Sequence, residues 1–340
     1  MDARPRMIYL PDTMANWPWL RTINPHFEDV KAEADASFRD FKALSPESQK
    51  AFDKCDFARL AALMLAYPNA PREHLRIACD LLNIILLLDE YTDNENEAGT
   101  KEMADIVLDA LHNPHKIRPE GECIIGEIAR IFWARAIQSA SLSSQRHFLE
   151  TFTAYLHGVV AEALDREQGH KRSIEDYLKL RRYTGGAQPC LVICEMGMDL
   201  PDEVFYHPVI TGLAECITDL LVIDNDMISY NKEQAAGNEG HNIISTVMFE
   251  LGLDIGGAMA WATHYHAEVQ KRFIDGLAKV PSWGPSVDVL VKEYLNGIAM
   301  AARANYSWGF EGHRYCGTMG PEIQQARLVP LLPKANCIAV

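Results

Sequence analysis

The chain has 340 residues, of which 48% are hydrophobic and 23% charged, and it carries a net charge of −15. That length suffices for one large domain or two modest ones, each with its own core. The acidity excludes counterion-driven binding to nucleic acid, which needs a basic surface, but not an anionic small molecule, because metal ions invert local charge.

Taken in chain order, helical patterns dominate. The first ~40 residues, rich in proline and tryptophan, are expected to form an arm packed on the helices. "PESQKAFDKCDFARLAALMLAY" follows Ser45, a candidate N-cap with proline at the first helical position. "PREHLRIACDLLNIILLLDEYTD" is apolar on more than one face, as in a helix buried on most sides. "GECIIGEIARIFWARAIQ", "SSQRHFLETFTAYLHGVVAEALDRE", "SIEDYLKLRRYTG", "HPVITGLAECITDLLVIDNDMISYNKEQ", "GGAMAWATHYHAEVQKRFIDGLAKV" and "VDVLVKEYLNGIAMAARANYSWGF" continue in that style. Between them stand breakers such as "HNPHKIRPEG", "TGGAQP", "AAGNEGHN" and "VPSWGPS", with no long Gly/Ser linker and no repeat period. The expectation is an all-α fold in a single domain over residues 1–340, with a C-terminal tail from about residue 316.

The eight cysteines are scattered without a CxxC pair, and Cys190 and Cys194, one turn apart, suit a buried helix face better than a zinc knuckle. No signal-like segment or bilayer-length apolar run of ~20 residues is seen. The reading is a soluble cytoplasmic protein with free thiols and no stable membrane insertion, a monomer or homodimer. The last residues, "CIAV", loosely fit a prenylation box at Cys337, although a frayed tail is the simpler reading.

Two acidic stretches ask for chemistry. From Leu81 to Asp93 a long apolar run ends abruptly in acid. Asp89 and Asp93 are i and i+4, so both carboxylates project from one helix face, and a hard divalent cation such as magnesium is the natural partner for paired carboxylates. The bland alternative is a solvated helix end followed by the loop "NENE". In "VIDNDMISYNKEQ", Asn225, Ser229 and Glu233 recur every four residues, which puts three oxygen donors on one stripe about 12 Å long. A glutamate leans back toward the helix N-terminus and shortens that span. Lys232 adds a cation for a phosphate; the bland alternative is again a polar helix end.

Together these stretches resemble the class I terpene synthases. "DEYTD" resembles their aspartate-rich motif D(D/E)xxD, and "NDMISYNKE" their NDxxSxxxE motif with a lysine before the final glutamate. "YLKLRRYTGG" resembles the pyrophosphate-sensor region, and Arg314-Tyr315 the terminal RY pair. The resemblance covers essentially the whole chain. The beginning, "LPDTMANWPWLRTINPHFEDVKAE", is similar to mushroom-type sesquiterpene synthases, in particular the group that includes protoilludene synthases. The run Ile84–Leu88 departs from the phenylalanines frequent in that group and leaves the product open.

The resemblance implies antiparallel helices around a central apolar cavity and magnesium-dependent ionisation of farnesyl diphosphate. It implies three Mg2+ ions held by Asp89, Asp93, Asn225, Ser229 and Glu233. The diphosphate would meet Lys232, Arg314, Tyr315 and one of Arg181 and Arg182, whose choice helical phase decides. Gly185 or Gly186 would free a backbone carbonyl toward the cation, and Tyr67 and Trp308 would line the pocket. A protoilludene-like product by 1,11-cyclisation leads, and an acyclic alcohol, nerolidol or linalool, is the alternative. A chain-elongating prenyltransferase normally carries two aspartate-rich motifs, and a non-enzymatic helical scaffold needs neither sensor nor RY pair.

Overall fold

The computed structural model describes residues 6–66, 70–93 and 95–334. Tyr67 and Cys337, singled out above, lie outside them. The architecture is a bundle of α-helices: α1 (Phe27–Asp40), α2 (Pro46–Cys55), α3 (Phe57–Met64), α4 (Arg72–Thr92), α5 (Glu97–His112), α6 (Ile125–Ala136) and α7 (Leu142–Gln168). Then come α8 (Ile174–Thr184), α9 (Ala187–Val192), α10 (Asp202–Phe205), α11 (Pro208–Ala236), α12 (Ile243–Leu251), α13 (Ile255–Leu277), α14 (Pro285–Glu311) and α15 (Gly320–Ala326). A small antiparallel ribbon pairs β1 (Met7–Tyr9) with β2 (Leu328–Pro330), with Ile8 opposite Val329. Among the described residues no single helix is long and apolar enough to cross a bilayer, and every cysteine is unpaired.

Local chemistry sets many of the boundaries. Ser45 caps α2, accepting from the Ser48 amide at 3.1 Å, and Pro46 occupies the first turn. Ser141, Ser173, Asn96, Asn242 and Asp254 cap α7, α8, α5, α12 and α13 in the same way. Gly169, Gly237 and Gly252 end α7, α11 and α12 in the left-handed region that glycine adopts without a Cβ penalty.

The segment read as an arm is divided: residues 6–26 are mostly irregular, whereas α1 begins at Phe27 and buries Val30, Ala34 and Phe38 at helical spacing. The stretch read as a tail likewise contains α15 and β2, because Leu10 donates its amide to Arg327 and Leu331 donates to Arg6. The helices α5 and α12 were not anticipated either. The capping Asn96 lies within the run read as an exposed loop, and α12 is only nine residues long.

The longest buried surfaces belong to α4, α11 and α14. On α4, buried residues from Leu75 through Leu88 occupy nearly the whole circumference. The helix α11 packs on α13 and α14, α14 on α3, and α7 on α5 and α8. The ends of α4, α8 and α11 and the turn after α14 converge at one side of this packing.

Candidate active site

A cavity of about 260 Å³ lies between α3, α4, α7, α8, α9, α11 and α14. Its inner wall is mainly hydrocarbon: Leu60, Met64, Leu82, Ile85, Leu86, Val159, Leu221 and Val222. Its mouth is polar, with Asp89, Asp93, Glu162, Arg166, Arg181, Asn225, Lys232, Glu233, Arg314 and Tyr315. A second cavity of about 600 Å³ opens beside the mouth and shares Asp93, Glu162, Arg166, Asn238 and His241 with it. One space is therefore apolar at depth and strongly charged at its entrance.

Asp89 and Asp93 stand one turn apart at the end of α4, as the i, i+4 spacing requires. The end is fixed from outside, because Arg166 donates to the carbonyls of Thr92 and Glu95 at 2.8 and 2.9 Å. Asp93 is accessible, yet the protein mass around it, followed by the charges of Asp89 and Glu90, pushes its pKa up to about 7. Arg314 answers part of that charge: its Nη2 donates to Asp89 Oδ2 at 2.8 Å, and Nη1 lies 4.0 Å from Glu90. The buried Arg314 Nε has no hydrogen-bond partner.

The stripe on α11 faces the same mouth in two of its three positions. Asn225 and Glu233 line the cavity, whereas Ser229 is buried behind them, 2% exposed. Asn225 Oδ1 accepts from Arg181 Nη2 at 2.9 Å, and its Nδ2 donates to the Tyr315 hydroxyl at 2.8 Å. Burial and then the neighbouring Asp226 raise the pKa of Glu233 from its ordinary value. Asn242 steadies this wall, its Nδ2 donating to Glu233 Oε2 and to the Asp226 carbonyl, each at 2.9 Å. Lys232 stands at the exposed rim.

The arginine pair separates by helical phase. Arg181 lines the cavity and donates from Nε and Nη2 to Asp226 Oδ1 at 3.0 and 2.8 Å. Arg182, about 100° round the helix, turns away: it grips Asp219 at 2.7 and 2.9 Å and reaches Glu215 at 3.3 Å. The choice between the two arginines, left open in the sequence, meets this difference in phase: the fork of Arg182 is taken up by buried Asp219 on α11, while Arg181 faces the cavity. Sequence reasoning passed over Asp226, 1% exposed, whose Oδ2 accepts from the Tyr177 hydroxyl and from the Ile243 amide at the start of α12. Its place directly after Asn225, on the buried face, was the available signal.

The break after α8 also borders the cavity. Gly185 packs so closely that a Cβ there would come within 2.6 Å of Val222 Cγ1. Gly186 has φ +63°, and a Cβ would meet Ile85 Cγ2 at 2.9 Å. Trp308 lines the cavity while its Nε1 donates to the Cys55 carbonyl at 2.8 Å, and its ring lies 5.7 Å from that of Tyr315, edge to face. It is thus both wall and core.

Among the described residues no three His, Cys, Asp or Glu side chains converge on one point. Each side of the mouth offers a few oxygens instead, Asp89 and Asp93 from α4 and Asn225 and Glu233 from α11. That donor set fits hard cations whose remaining shell comes from water or phosphate oxygens, as magnesium prefers. The repulsion that Asp89 and Glu90 add to the burial of Asp93 is relieved when a cation sits between the acids.

Comparison with known proteins shows the family and the fold. Residues 80–272 match the family model described as terpene synthase family 2, C-terminal metal binding. Sesquiterpene synthase 14 of Postia placenta is 53% identical over 336 residues, covering 99% of this chain and 95% of that protein. Delta(6)-protoilludene synthase 18 of the same fungus is 52% identical, covering 96% and 93%. Among solved structures, the SVS_A2 protein from ancestral sequence reconstruction superposes with a TM-score of 0.76 at 22% identity, over 91% of this chain and 90% of that one.

Proposed function

The chain belongs to the terpene synthase family, and from that premise we propose that it is a magnesium-dependent sesquiterpene synthase that ionises farnesyl diphosphate. The observation that carries this reading is a single cavity, hydrocarbon at depth, whose mouth sets acids on two helices opposite each other with arginines between them. A prenyl diphosphate has the same polarity: a long apolar chain joined to a polyanionic head. The relatives named sesquiterpene synthase and delta(6)-protoilludene synthase favour a C15 substrate and a protoilludene-like product by 1,11-cyclisation.

Asp89 and Asp93 would hold magnesium from α4, and Asn225 and Glu233 from α11, three ions in all; Ser229, buried behind that pair, would join them only if its hydroxyl turns from the α11 wall toward the mouth. When bound, magnesium supplies positive charge against that developing on the departing diphosphate. The chain's own donors complete the head-group site. Arg181 and Arg314 offer planar forks, Lys232 a mobile ammonium and Tyr315 a hydroxyl. The unpartnered Nε of Arg314 is a donor still lacking its acceptor. The C–O bond of the substrate breaks with its electron pair leaving on the diphosphate, and an allylic cation remains in the cavity. There Leu60, Leu82, Ile85 and Val222 exclude water, and the face of Trp308 stabilises cationic carbon without attacking it. Carbonyl groups at the Gly185–Gly186 break can turn a dipole toward the same charge. Arg182 serves by gripping Asp219, which fixes the end of α8 so that Arg181 points inward.

Incubation of the protein and magnesium with C10, C15 and C20 diphosphates, followed by gas chromatography, tests the reading. A volatile C15 hydrocarbon supports it, and a C15 alcohol supports the nerolidol alternative. Longer diphosphates would instead reveal an elongating prenyltransferase, and no turnover a scaffold.

A further inference from the structure

The chemistry above makes no use of residues 12–21, and none of them lines the cavity. They nevertheless hold the two helices that carry much of the site. The Thr13 hydroxyl donates to Asp224 Oδ1 at 2.7 Å. Asp224 is buried on α11 directly before Asn225, and among the described residues Thr13 is the only hydrogen-bond partner of its carboxylate. Its other oxygen lies 3.4 Å from His266 Nε2, outside hydrogen-bond geometry. From α14, Arg303 donates to the carbonyls of Met14, Trp17 and Trp19 at 2.7, 3.1 and 2.8 Å, while Trp17 Nε1 donates back to the Ala299 carbonyl at 3.0 Å. At the far end Arg21 grips Glu311 through Nε and Nη2, both at 2.7 Å. Glu311 is the last residue of α14, three before Arg314.

We propose that residues 12–21 form a brace that sets the spacing of α11 against the Arg314–Tyr315 turn, with Thr13 the positioning residue for Asn225 and Arg21 for Arg314. The physical case is leverage. Asp224 and Asn225 are adjacent on one helix, about 100° apart, so a bond to the first opposes rotation of the second. Asn225 and Tyr315 meet at 2.8 Å across the mouth. A small turn of α11 or slide of α14 breaks that register, and the brace ties both helices outside the cavity. The bidentate Arg21–Glu311 pair adds a fixed direction that a single contact lacks. The inference rests on Asn225 being a metal ligand, as proposed above.

The test uses the full chain, with magnesium titrations of farnesyl diphosphate turnover and thermal melts with and without magnesium plus inorganic pyrophosphate. Thr13→Val should raise the magnesium concentration for half-maximal turnover about threefold to tenfold, the scale of one lost hydrogen bond of ordinary net strength. The melting increment given by magnesium and pyrophosphate should shrink, and Thr13→Ser should restore both. A merely structural Thr13 would lower the ligand-free melting temperature while leaving the magnesium midpoint and the increment unchanged; that result overturns the brace. If Thr13→Val does not fold, Arg21→Lys is measured the same way, with a smaller melting increment expected and an unchanged one overturning the proposal. Wild-type turnover indifferent to magnesium would overturn the metal-site reading and the brace with it, whereas magnesium dependence with an unmoved variant overturns the brace alone.

Discussion

Arg314 is half-buried, bonded to Asp89, and flanked by the rings of Phe57 and Tyr315, each 5.8 Å from the guanidinium carbon. Lysine keeps the charge but loses the planar fork. Arg314→Lys should therefore cost about tenfold to a hundredfold in kcat/KM, equivalent to ~1.4–3 kcal/mol of transition-state stabilisation, measured by steady-state kinetics. Asp226 offers a contrasting case, because its carboxylate touches Arg181, Tyr177 and the α12 amide but does not line the cavity. Asp226→Asn leaves the half-buried Arg181 without its buried counter-charge. It should lower unfolding free energy by about 3 kcal/mol, the scale for breaking one partner of a buried pair, and thermal melting checks it. Legibility at this scale follows chemistry: Asp89, Asn225 and Glu233 stood out because their spacing suits an ion. Asp226 did not, because its work is a set of long-range contacts that spacing along the chain does not encode. The choice between Arg181 and Arg182 likewise required knowing which face of α8 meets α11.

The break between α8 and α9 shows how an element boundary shapes the cavity. Gly186 sits in the left-handed region with Ile85, a cavity wall residue, directly against it. Gly186→Ala should cost about 1–2 kcal/mol from the backbone conformation alone, and the new methyl must displace the Ile85 side chain. Because Ile85 bounds the reacting chain, the ratio of volatile products should change as well. Gas chromatography of the variant checks this, and an unaltered product profile would separate Gly186 from the cavity's shape. Helices with a broad apolar face, such as α4 and α11, were plain in the sequence. The helix α5 was not, although Ala104, Val107 and Leu111 are buried at helical spacing. Its start lies among acidic residues that read as a solvated loop, and packing against α6 and α7 decides the matter.

Across the whole molecule, the groups proposed to bind the diphosphate presently hold the groups proposed to bind the metal. Arg314 is bonded to Asp89, while Arg181 and Tyr315 are both bonded to Asn225. The sequence singled out Asp89, Asn225, Arg314 and Tyr315 and left Arg181 open against Arg182, but it did not encode their cross-linking, which exists only once α4, α8, α11 and the turn after α14 converge. The consequence is an exchange of partners. Magnesium alone must compete with Arg314 for Asp89, and pyrophosphate alone must draw the arginines from their carboxylate and amide partners while the acids repel it. Together each ligand takes the partner that the other releases: the anion accepts from Arg181 and Arg314, and the cation neutralises Asp89, Asp93 and Glu233. Ligand stabilises a fold by mass action in proportion to its occupancy. Magnesium with inorganic pyrophosphate should therefore raise the melting temperature by clearly more than the sum of the two separate shifts. Additive shifts would mean that the two ligands do not exchange these partners, and the coupling read from the Arg314–Asp89 and Arg181–Asn225 contacts would fall.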